Sequence, residues 1–184
     1  VHKNLIMSYN GEIYNGQELQ KKFSLYDLQD KYLSDTLLLI EGFNKIGEEF
    51  IHHLRGMFAI IFLDTSKNII SIYRDRFGIK PLYYYFDREL IVASEIKAIT
   101  QLLPKISYNK GAIENYLFHA QMDTSNETFF SKVYSLEAGQ KLIFDLKKEK
   151  IKILPWYVPK MRIEENTKSL SKAVTCYKRI FLRS

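Results

Sequence analysis

Cysteine is almost missing from this chain. Cys176 is the only one, so no disulfide can close within it, which suits a reducing cytosol. No apolar run approaches the length of a membrane span, and Val1-His2-Lys3-Asn4 leads into too short an apolar stretch to read as a signal peptide. No internal repeat and no low-complexity segment occurs, which excludes solenoids and biased linkers. The one histidine pair, His52-His53, would point about 100° apart on a helix, and no third ligand stands at useful spacing, so no metal site is expected. Neither sign of charge dominates. The net charge of +6 comes largely from Lys147-Lys148-Glu149-Lys150-Ile151-Lys152 and from the stretch between Lys168 and Arg183. No nucleic-acid motif accompanies these, so they read as solvated basic faces.

What remains is a globular composition, with 46% hydrophobic and 26% charged residues. Thirteen Tyr and twelve Phe point to strand-rich structure with large side chains on sheet faces. A length of 184 residues suits one domain, or one domain and part of a second.

Periodicity divides the chain further. Lys3 to Ser8 reads as a strand that runs into an Asn10-Gly11 turn, because both residues tolerate positive φ. Asn15 to Phe23 reads as a short helix with Asn15 as N-cap. Ser34 or Asp35 caps a longer helix carrying Leu37, Leu38, Ile40 and Phe43, and Gly47 separates it from a second short helix, Glu48 to Leu54. From Gly56 the period changes. Met57 to Leu63 is a near-continuous apolar strand, and Ile69 to Tyr73 is its hairpin partner across a polar turn. Because Met57 to Leu63 is apolar on both faces, both faces of its sheet should be covered. Leu82 to Phe86 and Leu90 to Ser94 form another hairpin. Glu95 to Leu103 is a helix stopped by Pro104, and Asn109 to Ala120 is a further one. Gln140 to Asp145 and Lys150 to Ile153 make a late hairpin after the Gly139 turn. The segment 161–168 reads as a linker, and Ser169 to Leu182 as an amphipathic helix whose apolar side is Leu170, Val174, Tyr177, Ile180 and Phe181.

Four motifs follow one another at fixed intervals: Asn10-Gly11-Glu12-Ile13-Tyr14-Asn15; Ser34-Asp35-Thr36; Arg74-Asp75-Arg76-Phe77-Gly78-Ile79-Lys80-Pro81-Leu82-Tyr83; and Ala93-Ser94-Glu95-Ile96-Lys97-Ala98. In this order the set closely resembles the glutamine-hydrolysing domain of asparagine synthetases, the class II glutamine amidotransferases. The resemblance covers residues 1–160. It implies an α+β fold of the N-terminal-nucleophile hydrolase type, a sandwich of two antiparallel sheets flanked by helices. Glu-Ile-Tyr-Asn after the Asn-Gly pair favours the asparagine-synthetase branch.

Hydrolysis of glutamine is acyl transfer, which needs a nucleophile, a proton acceptor, an oxyanion hole and a clamp on the amino-acid end. The resemblance implies that the Asn10 side chain and the Gly11 N–H stabilise the tetrahedral intermediate, and that Glu12 and Asp35 hold the α-ammonium of glutamine. Asp35 also has a purely local explanation as a helix cap. The Arg74–Tyr83 stretch has an architectural one, since Pro81 fixes φ and Gly78 allows a reversal. The Ala93–Ala98 stretch reads as a strand end and helix start, with Ser94 or Glu95 near the cap and a role toward a second domain.

The family's nucleophile is a cysteine at the mature N-terminus, and an arginine upstream grips the α-carboxylate. Neither has a counterpart between Val1 and Ser184, so the chain is expected to be a domain incomplete at its N-terminus and inactive by itself. Residues 169–184 resemble the first helix of a synthetase domain. The Ser-Gly-Gly-x-Asp-Ser phosphate loop of that domain does not occur here. No cofactor is expected within the chain, and ATP and Mg2+ only in such a synthetase domain. The partners implied are glutamine and that domain, in the cytoplasm, with a homo-oligomer compatible and no nucleic acid or membrane. The competing expectation is a non-catalytic glutamine-binding or interaction module on the same fold.

Overall fold

The computed structural model describes residues 4–25, 34–121, 125–159 and 169–182. The predicted linker 161–168 and most of the loop after Gln121 lie outside them. Among the described residues, eight strands and six helices follow in the order β1 (Leu5–Ile13), α1 (Gly16–Lys22), α2 (Asp35–Ile46), α3 (Glu49–His53), β2 (Gly56–Asp64), β3 (Ile69–Arg74), β4 (Tyr83–Asp87), β5 (Glu89–Ala93), α4 (Ile96–Leu102), α5 (Lys110–His119), β6 (Val133–Ser135), β7 (Gln140–Asp145), β8 (Lys150–Pro155) and α6 (Leu170–Phe181).

The strands form two antiparallel sheets. The larger has the order β1-β2-β3-β7-β8 and the smaller β5-β4-β6. β2 explains why they stack. Its alternate residues Phe58, Ile60 and Phe62 enter one buried cluster with Leu38, Leu39 and Ile40 of α2 and Phe50 and Ile51 of α3. The residues between them, Ala59 and Ile61, join a second cluster that reaches Tyr84 of β4, Leu82 and Leu136. One face of the larger sheet is therefore covered by α1–α3 and the other by the smaller sheet, as an all-apolar strand requires. α4 packs on β5 and β4 through Ile99.

The hairpin turns carry their own chemistry. The Asp64 carboxylate accepts from the N–H groups of Ser66 and Lys67, and Asn68 takes φ 57 to return the chain into β3. Asp145 repeats the device with Lys147 and Lys148, and Glu149 takes φ 52.

One sequence expectation needs correction and another refinement. The Asn10-Gly11 pair is not a turn. β1 runs straight through it to Ile13, nine residues in register with β2 from Leu5↔Asp64 to Ile13↔Gly56. The ladder outweighs local turn chemistry, and glycine serves a different purpose there. A Cβ on Gly11 would lie 2.2 Å from the Met57 carbonyl oxygen, and one on Gly56 2.1 Å from the Glu12 carbonyl oxygen, so the two backbones meet where side chains cannot fit. Asn15 does hold the N-cap position of α1, its carbonyl accepting from the Leu19 N–H at 3.1 Å, but its side chain makes no capping bond. Its side chain instead donates to the His53 carbonyl (3.0 Å) and accepts from the Arg55 N–H (2.8 Å), pinning the α3–β2 junction. β6, a three-residue strand on β4, went unanticipated.

The Arg74–Tyr83 stretch forms a buried knot. The Asp75 carboxylate is fully buried and accepts from four backbone N–H groups, those of Phe58 (3.3 Å), Phe77 (3.0 Å), Ile79 (3.0 Å) and Lys80 (2.9 Å). Those donors stand in for a counter-ion. Arg74 donates to the carbonyls of Gly78, Lys80 and Leu136, and Gly78 closes the turn at φ 67. Arg76 donates to the carbonyls of His52 and Leu54, and its guanidinium lies 5.3 Å and 5.1 Å from the Trp156 and Tyr157 rings.

Candidate functional site

β1 is an edge strand, with no neighbour on its far side among the described residues. Which backbone groups face that open edge follows from the ladder. Thr65 N–H donates to the Asn4 carbonyl at one end and Tyr14 N–H to the Arg55 carbonyl at the other. In an antiparallel pair every second residue bonds the partner strand and the residues between face away. With the register unbroken from Leu5 to Ile13, the N–H groups of Tyr9, Gly11 and Ile13 turn to the open edge.

Asp35 sits at this edge. Ser34, not Asp35, caps α2, its hydroxyl accepting from Leu37 N–H at 3.3 Å. The Asp35 carboxylate is thereby free to accept, through Oδ2, the Ile13 N–H at 2.9 Å and the Tyr9 hydroxyl at 3.1 Å. Burial first, and then the neighbouring Asp35 carboxylate, holds the Tyr9 hydroxyl well above the ordinary phenol range, so Tyr9 acts as a neutral donor at all physiological pH. One oxygen of Asp35 is engaged twice, and among the described residues no donor meets Oδ1.

Strand alternation separates the side chains. Leu5 and Ile13 enter the core beside the helices, with Met7 and Tyr9 packed against it. Asn10 and Glu12 point to the opposite face and are exposed. Asn10 Nδ2 donates to the Ser94 hydroxyl at 3.1 Å, across from the larger sheet to the end of β5. The structure thus brings together the Gly11 N–H and Asp35 at one open edge, with the Asn10 carboxamide beside Gly11 on the sandwich side and Glu12 two residues along. Sequence reasoning missed Tyr9 and the Ile13 N–H as the groups that hold Asp35; it put Ser94 or Glu95 near a helix cap, and the structure gives Glu95 the N-cap position of α4 and Ser94 the contact with Asn10. A tyrosine four residues before a buried strand end gives no signal of a partner twenty-six residues away.

An open cavity of about 160 Å³ lies elsewhere, between α5 and the smaller sheet, lined by Tyr83, Ile96, Asn115, Glu127 and Phe129 among others. None of Asn10, Gly11, Glu12 or Asp35 contributes to it. His52 packs edge-on against Trp156, and His53 lies 3.8 Å from Glu49 and 3.2 Å from Lys22 Nζ. Cys176 is on α6, where Arg179 donates to its sulfur at 3.8 Å. No helix among the described residues is long and apolar enough to cross a membrane.

Comparison with known proteins concerns the chain as a whole. The sequence model of a family described as a glutamine amidotransferase domain matches residues 1–157. A putative asparagine synthetase (glutamine-hydrolyzing) 2 of Methanocaldococcus jannaschii is 39% identical over 183 residues, covering 92% of this chain and 35% of that protein. Asparagine synthetase (glutamine-hydrolyzing) 2 of Bacillus subtilis is 34% identical over 148 residues, covering 77% of this chain and 20% of that protein. The chain therefore spans about a third or less of the length of these curated relatives. Among solved structures, the glutamine phosphoribosylpyrophosphate amidotransferase of B. subtilis superposes with a TM-score of 0.58 over 84% of this chain and 30% of its own, at 17% identity. That likeness is one of fold, the N-terminal-nucleophile sandwich of two antiparallel sheets.

Proposed function

Since the chain belongs to the glutamine amidotransferase domain family, we propose that it is the glutamine-hydrolysing part of an asparagine-synthetase-like enzyme. The carrying observation is the open edge of β1, where the Gly11 N–H faces outward next to the Asn10 carboxamide and Asp35 offers Oδ1 nearby. An acyl-transfer site needs two donors converging on the oxygen that becomes negative, worth about 10²–10³ in rate each. Asn10 Nδ2 and the Gly11 N–H supply them. Asp35 takes the α-ammonium of glutamine, with Glu12 adding negative potential from the strand's other face.

The thiol that attacks the carboxamide is not supplied by this stretch of chain. Cys176, its one cysteine, is a free thiol on α6, outside the matched residues 1–157. In the whole protein a thiolate adds to the glutamine δ-carbon, the oxyanion rests on Asn10 and Gly11, and ammonia leaves. Water then releases glutamate. The ammonia amidates a carboxylate, aspartate or a relative of it, that ATP and Mg2+ activate in a synthetase portion. α6 belongs to the junction with that portion, and the setting is cytoplasmic.

The test is glutamate formation from glutamine by the full-length protein. Asn10→Ala should lower kcat about 100-fold while KM changes little. Residues 1–184 alone should release no ammonia above the buffer background. Full-length protein that hydrolyses glutamine equally well with Ala at position 10 would remove the Asn10 carboxamide from the reaction. A full-length protein that binds glutamine without hydrolysing it would favour the non-catalytic module.

A further inference from the structure

We propose that Ser94 is the positioning residue of the Asn10 carboxamide, fixing the plane in which it presents its remaining N–H to the oxyanion. This rests on the glutamine-hydrolysing reading above.

Asn10 needs such a partner. It is exposed on the sandwich-side face of an edge strand, where neighbouring side chains do not lock its rotamer. A terminal carboxamide torsion is broad and can be set only by hydrogen bonds. Of its two N–H protons one goes to Ser94 Oγ at 3.1 Å, which leaves the other for a ligand.

Ser94 is itself firmly placed. It follows Ala93, the last residue of β5, which pairs with Tyr83 of β4. Glu95 follows in extended conformation and opens α4, which Ile99 anchors at full burial. A one-atom hydroxyl on so short a link can move little. The contact joins a residue of the larger sheet to the residue that follows β5 of the smaller sheet, 84 positions apart. The oxyanion donor on β1 is thereby aimed from the β5–α4 junction, and a shift of α4 against the sheets would change its aim without touching β1.

A misaligned donor loses part of the 10²–10³ that a well-placed one contributes, so a loss of about tenfold is expected on removing Ser94. In the full-length protein Ser94→Ala should lower kcat by that factor with KM unchanged, and Ser94→Thr, which keeps the hydroxyl, should restore it. In an Asn10→Ala background Ser94→Ala should cost less than twofold, because no carboxamide is left to aim. A purely structural role would instead give the same loss in both backgrounds.

The contact is read separately, without catalysis, in the 184-residue chain. The Asn10 side-chain amide, identified by its disappearance in Asn10→Ala, should shift and exchange faster with solvent in Ser94→Ala but not in Ser94→Thr. An unchanged Asn10 amide in Ser94→Ala, or an equal kinetic loss in both backgrounds, overturns the proposal. Full-length wild-type protein that fails to hydrolyse glutamine, while the amide still responds to Ser94→Ala, overturns the catalytic reading and reduces Ser94 to a partner of Asn10.

Discussion

The Ile13 N–H donates to Asp35 Oδ2 across 2.9 Å, tying the end of β1 to the first residue of α2. Because Oδ2 also accepts from Tyr9, the carboxylate has a structural duty and, among the described residues, a second oxygen that meets no donor. The two are separable by substitution. Asp35→Ala leaves a backbone N–H and a hydroxyl without an acceptor, at a cost of about 1–3 kcal/mol. Asp35→Asn keeps an accepting oxygen and should stay within about 1 kcal/mol of wild type, yet it removes the negative charge. Thermal unfolding should therefore show a lowered Tm for Ala only, while glutamine affinity in the full-length protein falls at least tenfold for both. Unimpaired glutamine binding by Asp35→Asn would leave Asp35 with the structural duty alone.

Gly11→Ala is expected to disrupt the site through the fold. Its Cβ would meet the Met57 carbonyl oxygen at 2.2 Å and the Phe58 Cα at 2.8 Å, and both are backbone atoms held in the β1–β2 ladder. A cost of about 1–3 kcal/mol follows from overpacking of this kind. Denaturant unfolding of the variant against wild type measures it. A midpoint unchanged within error would mean that β1 can part from β2 at this point.

Asp75→Asn should be among the most damaging substitutions in the chain. The buried carboxylate accepts from four N–H groups, and a carboxamide would turn its own donors toward some of them. With unsatisfied buried donors costing about 1–3 kcal/mol each, a loss of about 3 kcal/mol or more is expected. Urea unfolding followed by tyrosine fluorescence would report it, and a loss under 1 kcal/mol would show that water reaches the knot.

Acid should weaken the β2–β3 hairpin through Asp64. The Ser66 hydroxyl, with the Lys67 backbone and ammonium behind it, holds the Asp64 carboxyl down to about 2, against about 3.9 for an unfolded chain. The folded value is the lower one, so the stabilisation is complete above about pH 4 and disappears as pH falls toward 2. The Tm of Asp64→Asn should accordingly lie below that of wild type at pH 6 and converge on it near pH 2. A constant gap across that range would assign the effect to shape instead of charge.

The hairpins, the all-apolar β2 with both faces covered, and the helix starts at Ser34 and Asn109 could be read in the sequence because each follows from its immediate neighbours. The continuation of β1 through Asn10-Gly11 could not. Locally those residues favour a turn, and the nine-residue pairing with β2 that overrides them is a tertiary fact. β6 is three residues long and exists only because β4 has an edge to offer it. At the site, residue identities were legible as a motif, whereas their division between the two faces and the open edge of one strand depends on register. A register shift of one would have exchanged every one of them.

Neighbouring strands β3 and β7 enclose between them everything from Asp75 to Gly139, the entire smaller sheet with α4 and α5. β2 and β3 can pair as soon as one short turn closes, but β3 cannot meet β7 until that whole excursion has been gathered in, and closure over such a span is entropically slow. The order of assembly is thereby written into the connectivity. Amide protection in a pulse-labelled refolding experiment should appear across β2–β3 before it appears at the β3–β7 pairing, and the Asn10–Ser94 contact, which needs both sheets, should be among the last formed. Each newly made molecule would then pass through an interval in which its first hairpin is complete and its larger sheet has not yet closed onto β7.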